Sequence, residues 1–341
     1  MGHAATRLTE AVFLPAALRG VDFNTIGLLL GMMLIVNITG RSGVFQYIAI
    51  WSAKKVNAQP LGVLIMLSLV TATLSASLDN VTTVLLIVPV TLLITEELKV
   101  EPYPFLISEV LSSNIGGTAT LIGDPPNIMI GSAVGIPFNA FVNNLTPVII
   151  VVEFATVLAF ALVWKKSLVA TEEARRRVMQ FNEAEAIKDH RLLKQSLSVI
   201  GVVIVSFVMA HSMHLEPATI AMFGAAVLLF LDNYREDADH QTKKVHGAFA
   251  EAEWVTLIFF IGLFILVHGL ESSGVIRWMA EKLMAATGGD FKITAIAILW
   301  SSAILSAFID NIPFVATMIP MIKSMAPAFG GADALMPLWW A

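Results

Sequence analysis

Cysteine is absent from this chain of 341 residues, so neither disulfide bonds nor thiolate metal sites are available to it. Charged residues make up only 14% of the chain, whereas a soluble protein of this length carries about a quarter. The formal net charge is −5, which gives no basic surface of the kind that binds nucleic acid. These scarcities argue against a soluble fold and against a nucleic-acid partner.

Apolar residues are abundant, at 57% of the chain, and the mean hydropathy is +0.78. Several apolar runs approach the roughly 20 residues that a helix needs to cross a bilayer. We therefore predict an all-α polytopic membrane protein, surrounded by lipid in the inner (plasma) membrane of the cell. The candidate spans are residues 23–40, 60–98, 101–135, 146–164, 196–213, 217–231, 254–271 and 291–325.

Two stretches of the chain repeat each other at an offset of 231 residues without a gap. Asp79-Asn80 recurs as Asp310-Asn311, and Gly31 recurs as Gly262. A carboxylate at bilayer depth costs roughly 2.5–3.5 kcal/mol on insertion scales, so its recurrence at one place in both halves indicates use. Duplicated halves are typical of secondary transporters. We predict a first repeat in residues 1–164, a cytoplasmic linker in 165–195 and a second repeat in 196–341.

The spans 60–98 and 291–325 are too long for one crossing, and Asp-Asn interrupts each of them. We interpret both as re-entrant helical hairpins with the polar pair at the tip. The span 101–135 is predicted to be a discontinuous helix, broken at Gly116-Gly117 and again at Pro125-Pro126. Irregular backbone at membrane depth is tolerated only beside protein or a watery cavity, so these breaks predict a cavity.

The Lys- and Arg-rich loop 165–195 is placed in the cytoplasm by the positive-inside rule. Counting crossings from it puts residues 41–59 inside and their repeat partners, 272–290, outside. The two repeats are therefore predicted to be inverted in the membrane, the alternative being two unrelated bundles joined by a loop. At the same offset, the partner of Gly116 would lie past Ala341, and the partners of spans 196–213 and 217–231 would lie at or before Met1. We expect the chain to be part of a longer protein, lacking the first helices of one repeat and the end of the other.

Asp79 allows two interpretations. It precedes an apolar helical run, as a helix N-cap does, and it also brings a carboxylate to a hairpin tip, where it is a ligand for a proton or a hard cation. In the broken helix, close packing explains the glycines and threonines but not Asp124-Pro125-Pro126-Asn127. Glu109 either lines the pathway or makes a buried hydrogen bond, and Glu153 is a weaker candidate. The candidate residues for binding substrate or ion are Asp79, Asn80, Thr82, Asn114, Gly116, Gly117, Thr118, Thr120, Asp124, Asn127, Asp310 and Asn311.

The segments Leu78–Thr83, Asn114–Asn127 and Asp310–Phe314 resemble the ArsB/NhaD group of the ion transporter superfamily. This group includes arsenite permeases, sodium/proton antiporters and the melanosomal P protein. The residues of Asp124–Asn127 and Asp310–Phe314 are most similar to those of the P-protein-like branch. The resemblance implies an inverted-repeat fold, usually a homodimer, in which a transport domain moves against a scaffold. It also implies that Asp79, Asn80, Gly116 and Gly117 form one ion site, a possible Na⁺ site, and that Asp310 and Asn311 belong to a mirror site. The chain departs from the group in lacking the second glycine motif.

We expect a secondary transporter, not an enzyme, that exchanges arsenite or antimonite for protons. Its substrate would be a small inorganic ion or neutral oxyacid, with H⁺ or Na⁺ as the coupling ion and no other cofactor. No Lys or Arg occurs within 60–98 or 100–164, so a multivalent anion would depend on helix N-termini and a co-bound cation. The alternatives are a Na⁺/H⁺ antiporter, a dicarboxylate or anion symporter, a channel, and an intramembrane aspartyl protease.

Overall fold

The computed structural model describes residues 18–340, and all regular secondary structure in that range is helical. Among these residues, six helices are long and apolar enough to cross a membrane, and a bent pair with an angle of 118° adds a seventh crossing if it is one span. The chain is an all-α, multi-pass integral membrane protein. The helices are α1 (Phe23–Arg41), α2 (Val44–Lys55), α3 (Pro60–Ser77), α4 (Asn80–Leu98), α5 (Tyr103–Gly117), α6 (Pro125–Val134), α7 (Phe138–Trp164), α8 (Glu172–Met179), α9 (His190–Met213), α10 (Pro217–Asn233), α11 (Ala238–Ala250), α12 (Trp254–Ser272), α13 (Val275–Ala286), α14 (Phe291–Leu305), α15 (Asn311–Ser324), α16 (Ala326–Phe329) and α17 (Met336–Trp339).

The sequence repeat is also a repeat of helix boundaries. Helices α1 and α12 begin and end 231 residues apart, and so do α2 and α13. The turn between α1 and α2 contains Gly43, and the turn between α12 and α13 contains Gly274. Their φ values of 86° and 82° lie in the left-handed region that glycine adopts without strain. Helices α3 and α14 begin 231 residues apart, as do α4 and α15. The inverted orientation of the two copies stays a prediction.

The predicted interruptions at the Asp-Asn pairs are present. Helix α3 ends at Ser77 and α4 begins at Asn80, while α14 ends at Leu305 and α15 begins at Asn311. Each of α3 and α4 is long enough to cross a membrane by itself.

The prediction for 101–135 is partly wrong, because the helix has one gap and not two breaks. Helix α5 continues through Gly116 and Gly117, the gap covers residues 118–124, and α6 begins at Pro125. Proline is well accepted in the first turn of a helix, where its missing N–H has no partner to lose. Helix α7 also starts earlier than predicted, at Phe138, and continues through Pro147.

The loops contain helices that the sequence analysis did not predict, namely α2, α8, α11 and α13. The segment 172–188 packs onto the ends of α2 and α4. Lys54 Nζ donates to the Phe181 carbonyl at 3.0 Å, and Arg177 Nε lies 3.1 Å from the Glu97 carboxylate. The loop 165–195 is therefore a packed part of the bundle beside it.

The chain forms two compact units. Unit A comprises residues 27–128 and 136–253, and unit B comprises the described residues 18–26, 129–135 and 254–340. The core of unit A is built from apolar faces of α2, α3, α4 and α5, with Phe45, Leu64, Ile87 and Phe105 almost fully buried. Unit A contains the break between α3 and α4 at Asp79-Asn80 and the gap between α5 and α6 at residues 118–124.

Candidate functional site

Asp79 lies at the break between α3 and α4 and is only 8% exposed. Its backbone is extended and its Oδ1 accepts a hydrogen bond from the backbone N–H of Thr82 at 2.8 Å. The N-cap interpretation is therefore confirmed. Its Oδ2 is buried and accepts no hydrogen bond from any residue between 18 and 340. One carboxylate oxygen holds the helix start while the other is available to a ligand.

Asn80 connects three parts of the chain through its side-chain amide. Its Nδ2 donates to Asn114 Oδ1 at 2.9 Å and to Asp124 Oδ1 at 3.2 Å. Asn114 lies near the end of α5, and Asp124 is the last residue of the gap before α6. The start of α4, the end of α5 and the start of α6 therefore meet at Asn80, which brings two aspartates and two asparagines into one cluster.

Two serines that the sequence analysis left out of the site hold this cluster in place. Ser113 Oγ donates to the Asn80 carbonyl at 2.7 Å, and Ser75 Oγ donates to the Ser113 carbonyl at 2.7 Å. Both serines are at most 1% exposed. Ser75 lies three residues before the motif Leu78–Thr83, and Ser113 lies directly before the motif Asn114–Asn127. However, a serine that bonds to a remote backbone carbonyl gives no periodic signal by which sequence alone would single it out.

The glycines permit close backbone approach. A Cβ at Gly116 would lie 2.6 Å from the Ala72 carbonyl carbon and closer still to its oxygen, so any other residue would force the two backbones apart. A Cβ at Gly117 would lie 2.5 Å from the Gly123 carbonyl oxygen. The packing interpretation of these glycines is therefore confirmed. The prediction of unwound backbone at Gly116 is wrong, because its carbonyl accepts a hydrogen bond from Ala119 N at 3.0 Å.

The unwound backbone is the segment 118–124, and side chains on either side fix its shape. Asn127 Nδ2 donates to the carbonyls of Thr118 and Thr120 at 3.0 and 2.8 Å. Thr120 Oγ1 donates to the Ala76 carbonyl at 2.6 Å and accepts from Gly123 N at 3.2 Å. These bonds satisfy the polar backbone groups that a break leaves inside a membrane protein.

The site is acidic and carries no basic residue on the helices that form it. Helices α3, α4, α5 and α6 and the segment 118–124 contain no Lys or Arg. The cluster offers the carboxylates of Asp79 and Asp124 together with amide and hydroxyl groups. It suits a ligand that donates hydrogen bonds or carries positive charge.

Asp310 and Asn311 lie in unit B, whereas the ten other candidate residues all lie in unit A. Asp310 Oδ1 accepts from Ile312 N at 3.0 Å, so it is also an N-cap. Both residues are exposed within their unit, and Asn311 lines a cavity of about 350 Å³ with Ser302 and Phe314. The two Asp-Asn pairs share their position in the repeat but differ in burial.

The family model described as "Citrate transporter" matches residues 1–341. The chain belongs to the citrate transporter family. This family is part of the ion transporter superfamily, which agrees with the resemblance at that level.

Three relatives show how far the similarity extends. An uncharacterized transporter of Mycobacterium tuberculosis is 44% identical over 323 residues, which cover 94% of this chain and 73% of that protein. The magnetosome protein MamN of Magnetospirillum gryphiswaldense is 29% identical over 328 residues, covering 95% and 72%. The P protein of Sus scrofa is 31% identical over 382 aligned residues, which cover 90% of this chain and 44% of that protein. This member of the citrate transporter family is a secondary membrane transporter and not an enzyme.

Proposed function

We propose that this transporter exchanges protons for a small hydroxylated solute of the arsenous acid or antimonite type. The observation that carries the proposal is the cluster of buried Asp79, Asn80 and Asp124 with the exposed Asn114, built on helices without Lys or Arg. A neutral oxyacid donates hydrogen bonds through its hydroxyl groups, and the buried Asp79 Oδ2 is an acceptor without a donor among residues 18–340. Such a solute needs no basic residue to neutralise it.

The proposal places the chain in the ArsB/NhaD branch, in the plasma membrane, and as a homodimer. Its support is the motif Asn114–Asn127 and the similarity to the P protein. In this arrangement the residues around Asp79 bind the solute, and Asp310 and Asn311 form the corresponding site of the second repeat.

Na⁺/H⁺ antiport is the second candidate, since Asp79 Oδ2 and the oxygens of the surrounding amides also suit a hard cation. Na⁺ would then be held by Asp79 and Asn80 with backbone oxygens of the unwound segment 118–124, which directly follows Gly117. Protons would compete with it for the same carboxylate.

Citrate is the substrate that the family description suggests. A citrate anion facing Asp79 and Asp124 would meet charge of its own sign, so it would need a cation bound with it. We therefore expect any citrate transport to depend on a metal cation or on protons.

The test uses everted membrane vesicles from cells that lack their own arsenite and sodium exchangers. A pH gradient is established and followed with a fluorescent dye. Arsenite, Na⁺, and citrate with and without Mg²⁺ are then added separately. We expect arsenite to collapse the gradient in vesicles with the wild-type chain and not in vesicles with Asp79→Asn. A pH change driven by Na⁺ alone, with no effect of arsenite, would replace the first proposal by the second.

A further inference from the structure

A second pair of buried acids lies in unit A, away from the Asn80 cluster. Glu109 on α5 is 1% exposed, and its Oε1 accepts a hydrogen bond from the Thr91 hydroxyl at 2.6 Å. Its Oε2 is buried and has no hydrogen-bond partner among residues 18–340. Of the two interpretations offered for Glu109, the buried hydrogen bond is present, but it satisfies only half of the carboxylate.

Glu153 on α7 is the second acid and is 6% exposed. It faces the hydroxyl of Ser112, which lies one helical turn from Glu109 on the same side of α5. In the described part of the chain, neither carboxylate oxygen of Glu153 nor the Ser112 hydroxyl completes a hydrogen bond. Four oxygen atoms on Glu109, Ser112 and Glu153 thus lack partners in one region of the bundle.

Helices α3, α4, α5 and α7 carry no Lys, Arg or His that could balance the charge of these acids, and the basic residues Arg191 and Lys194 of α9, which contacts α7, lie in its first two turns. Helix α3 has no titratable residue, and α7 has only Glu153. Helix α4 has Asp79 before its first residue and, at its far end, Glu96, which is exposed, and Glu97, which pairs with Arg177. Tyr103 at the exposed start of α5 is the remaining titratable group on these four helices. Burying an ionised carboxylate without a counter-charge is very costly, so each acid requires a proton or a bound cation.

A proton fits the donors and acceptors better than a metal cation does. A protonated Glu153 would provide the O–H donor that the Ser112 oxygen lacks, and a protonated Glu109 would carry no net charge beside Thr91. A metal ion would need several converging ligands, and each of these carboxylates has at most a hydroxyl beside it.

We propose that Glu109 and Glu153, together with Ser112, form a proton-binding site separate from Asp79, through which the transporter couples solute movement to protons. Ser112 precedes Ser113, which bonds to the Asn80 carbonyl, so one turn of α5 connects the acid pair to the solute site. This inference rests on the proposed proton exchange and assigns the proton to these residues. Ser112 is a positioning residue, and the two glutamates bind the proton.

The experiment compares purified wild-type protein with Glu109→Gln, Glu153→Gln and the control Glu96→Gln, whose carboxylate is exposed on α4. Infrared difference spectra are recorded between acidic and alkaline pH, because the C=O stretch of a protonated carboxyl group reports the proton directly and needs no substrate. We expect a band from buried carboxylic acid that Glu109→Gln and Glu153→Gln each diminish and Glu96→Gln preserves. Equal thermal unfolding midpoints in detergent would verify that the variants fold.

Transport in proteoliposomes is the second readout. We expect both variants to lose at least tenfold in uptake driven by a pH gradient while keeping equilibrium exchange of labelled solute. Unchanged infrared bands in both glutamine variants, or an unchanged pH dependence of driven uptake, would overturn the assignment. If the wild type moves none of the tested solutes, the proposed function fails, while the infrared result still decides whether these acids hold the proton. A carboxylic acid band that shifts when Na⁺ is added at constant pH would contradict the assignment of a proton to these glutamates and would indicate a cation site instead.

Discussion

The Asn80 side-chain amide lies 3.2 Å from the Asp124 carboxylate, although 44 residues separate them in the chain. This contact joins the start of α4 to the end of the unwound segment before α6. The same amide nitrogen also donates a hydrogen bond to Asn114 Oδ1. The donors and acceptors of the solute site are therefore held in position by one another before any ligand is present, as a precise binding site requires.

The two roles of Asp79 are separable by Asp79→Asn. Asparagine is as good an N-cap as aspartate, so the start of α4 should keep its stability, while the buried negative charge is lost. We expect normal membrane insertion, an unfolding midpoint close to that of the wild type, and no coupled transport in the vesicle assay. Asp290→Asn is the matched control, because Asp290 caps α14 through a 2.9 Å bond to Ile293 N and is exposed. Full transport by Asp79→Asn would mean that Asp79 is only a cap.

Replacing Asn80 by aspartate should disable the site with almost no change in shape. The substitution converts the Nδ2 donor into an oxygen that faces the oxygens of Asp124 and Asn114. We expect at least tenfold weaker solute binding and a loss of stability of about 1–3 kcal/mol from the unpaired buried groups. Calorimetric binding and chemical unfolding measure the two effects. Asn144→Asp on the exposed side of α7 should change neither, and equal behaviour of the two variants would argue against the cluster as the site.

The close contact of α3 and α5 should make Gly116→Ala destabilising. The added methyl group would overlap the Ala72 backbone, which cannot move as a flexible side chain would. We expect a loss of about 1–3 kcal/mol, measured by thermal unfolding in detergent. At Gly201 on α9, an added methyl group would have no other atom within 4 Å, so Gly201→Ala should be neutral or stabilise by about 0.5–1 kcal/mol. If both alanine variants melt alike, the backbones of α3 and α5 are not in contact.

The ion pair between Lys54 and Glu183 should make stability depend on acid pH. The hydrogen bond from Lys54 lowers the pKa of Glu183 below its ordinary value of 4.5. The folded protein then holds this proton less tightly than the unfolded chain. The stabilising contribution is therefore complete above about pH 4.5 and disappears as the pH falls through the lowered pKa. Unfolding midpoints from pH 7 to pH 3 should fall more steeply for the wild type than for Glu183→Gln. Glu101→Gln, at an exposed position, should follow the wild type, and parallel curves for all three proteins would contradict the prediction.

Much of the fold was predictable because it depends on patterns that the sequence displays. The apolar runs located α1 and α12 to within one residue, and the Asp-Asn pairs located the breaks in the two long spans. The helices α2 and α13 were missed because they are short, lie next to charged residues and follow a left-handed glycine, features that loops share. The predicted break at Pro125 coincides with the start of α6, and α7 extends beyond the predicted span because Pro147 is tolerated inside it.

The composition of the site was predictable, but its connections were not. Spacing along the chain indicated that Asp79, Asn80 and Asp124 belong together, because each stands beside a break. Which atoms pair depends on rotamers and on the packing of three helices, so the bond from Asn80 to Asp124 and the serine contacts emerged only from the structure. The same holds for Glu109 and Thr91, which lie 18 residues apart on different helices.

The glycine contacts described above have a mechanical consequence. The backbone of α5 touches that of α3 at Gly116, and Gly117 and Gly123 bring the unwound segment against Ser75. Packed side chains can change rotamer and slide, whereas backbone pressed on backbone has no second arrangement of similar density. We therefore expect the solute-binding cluster to keep its geometry during the transport cycle. The conformational change should occur in the segments that surround it.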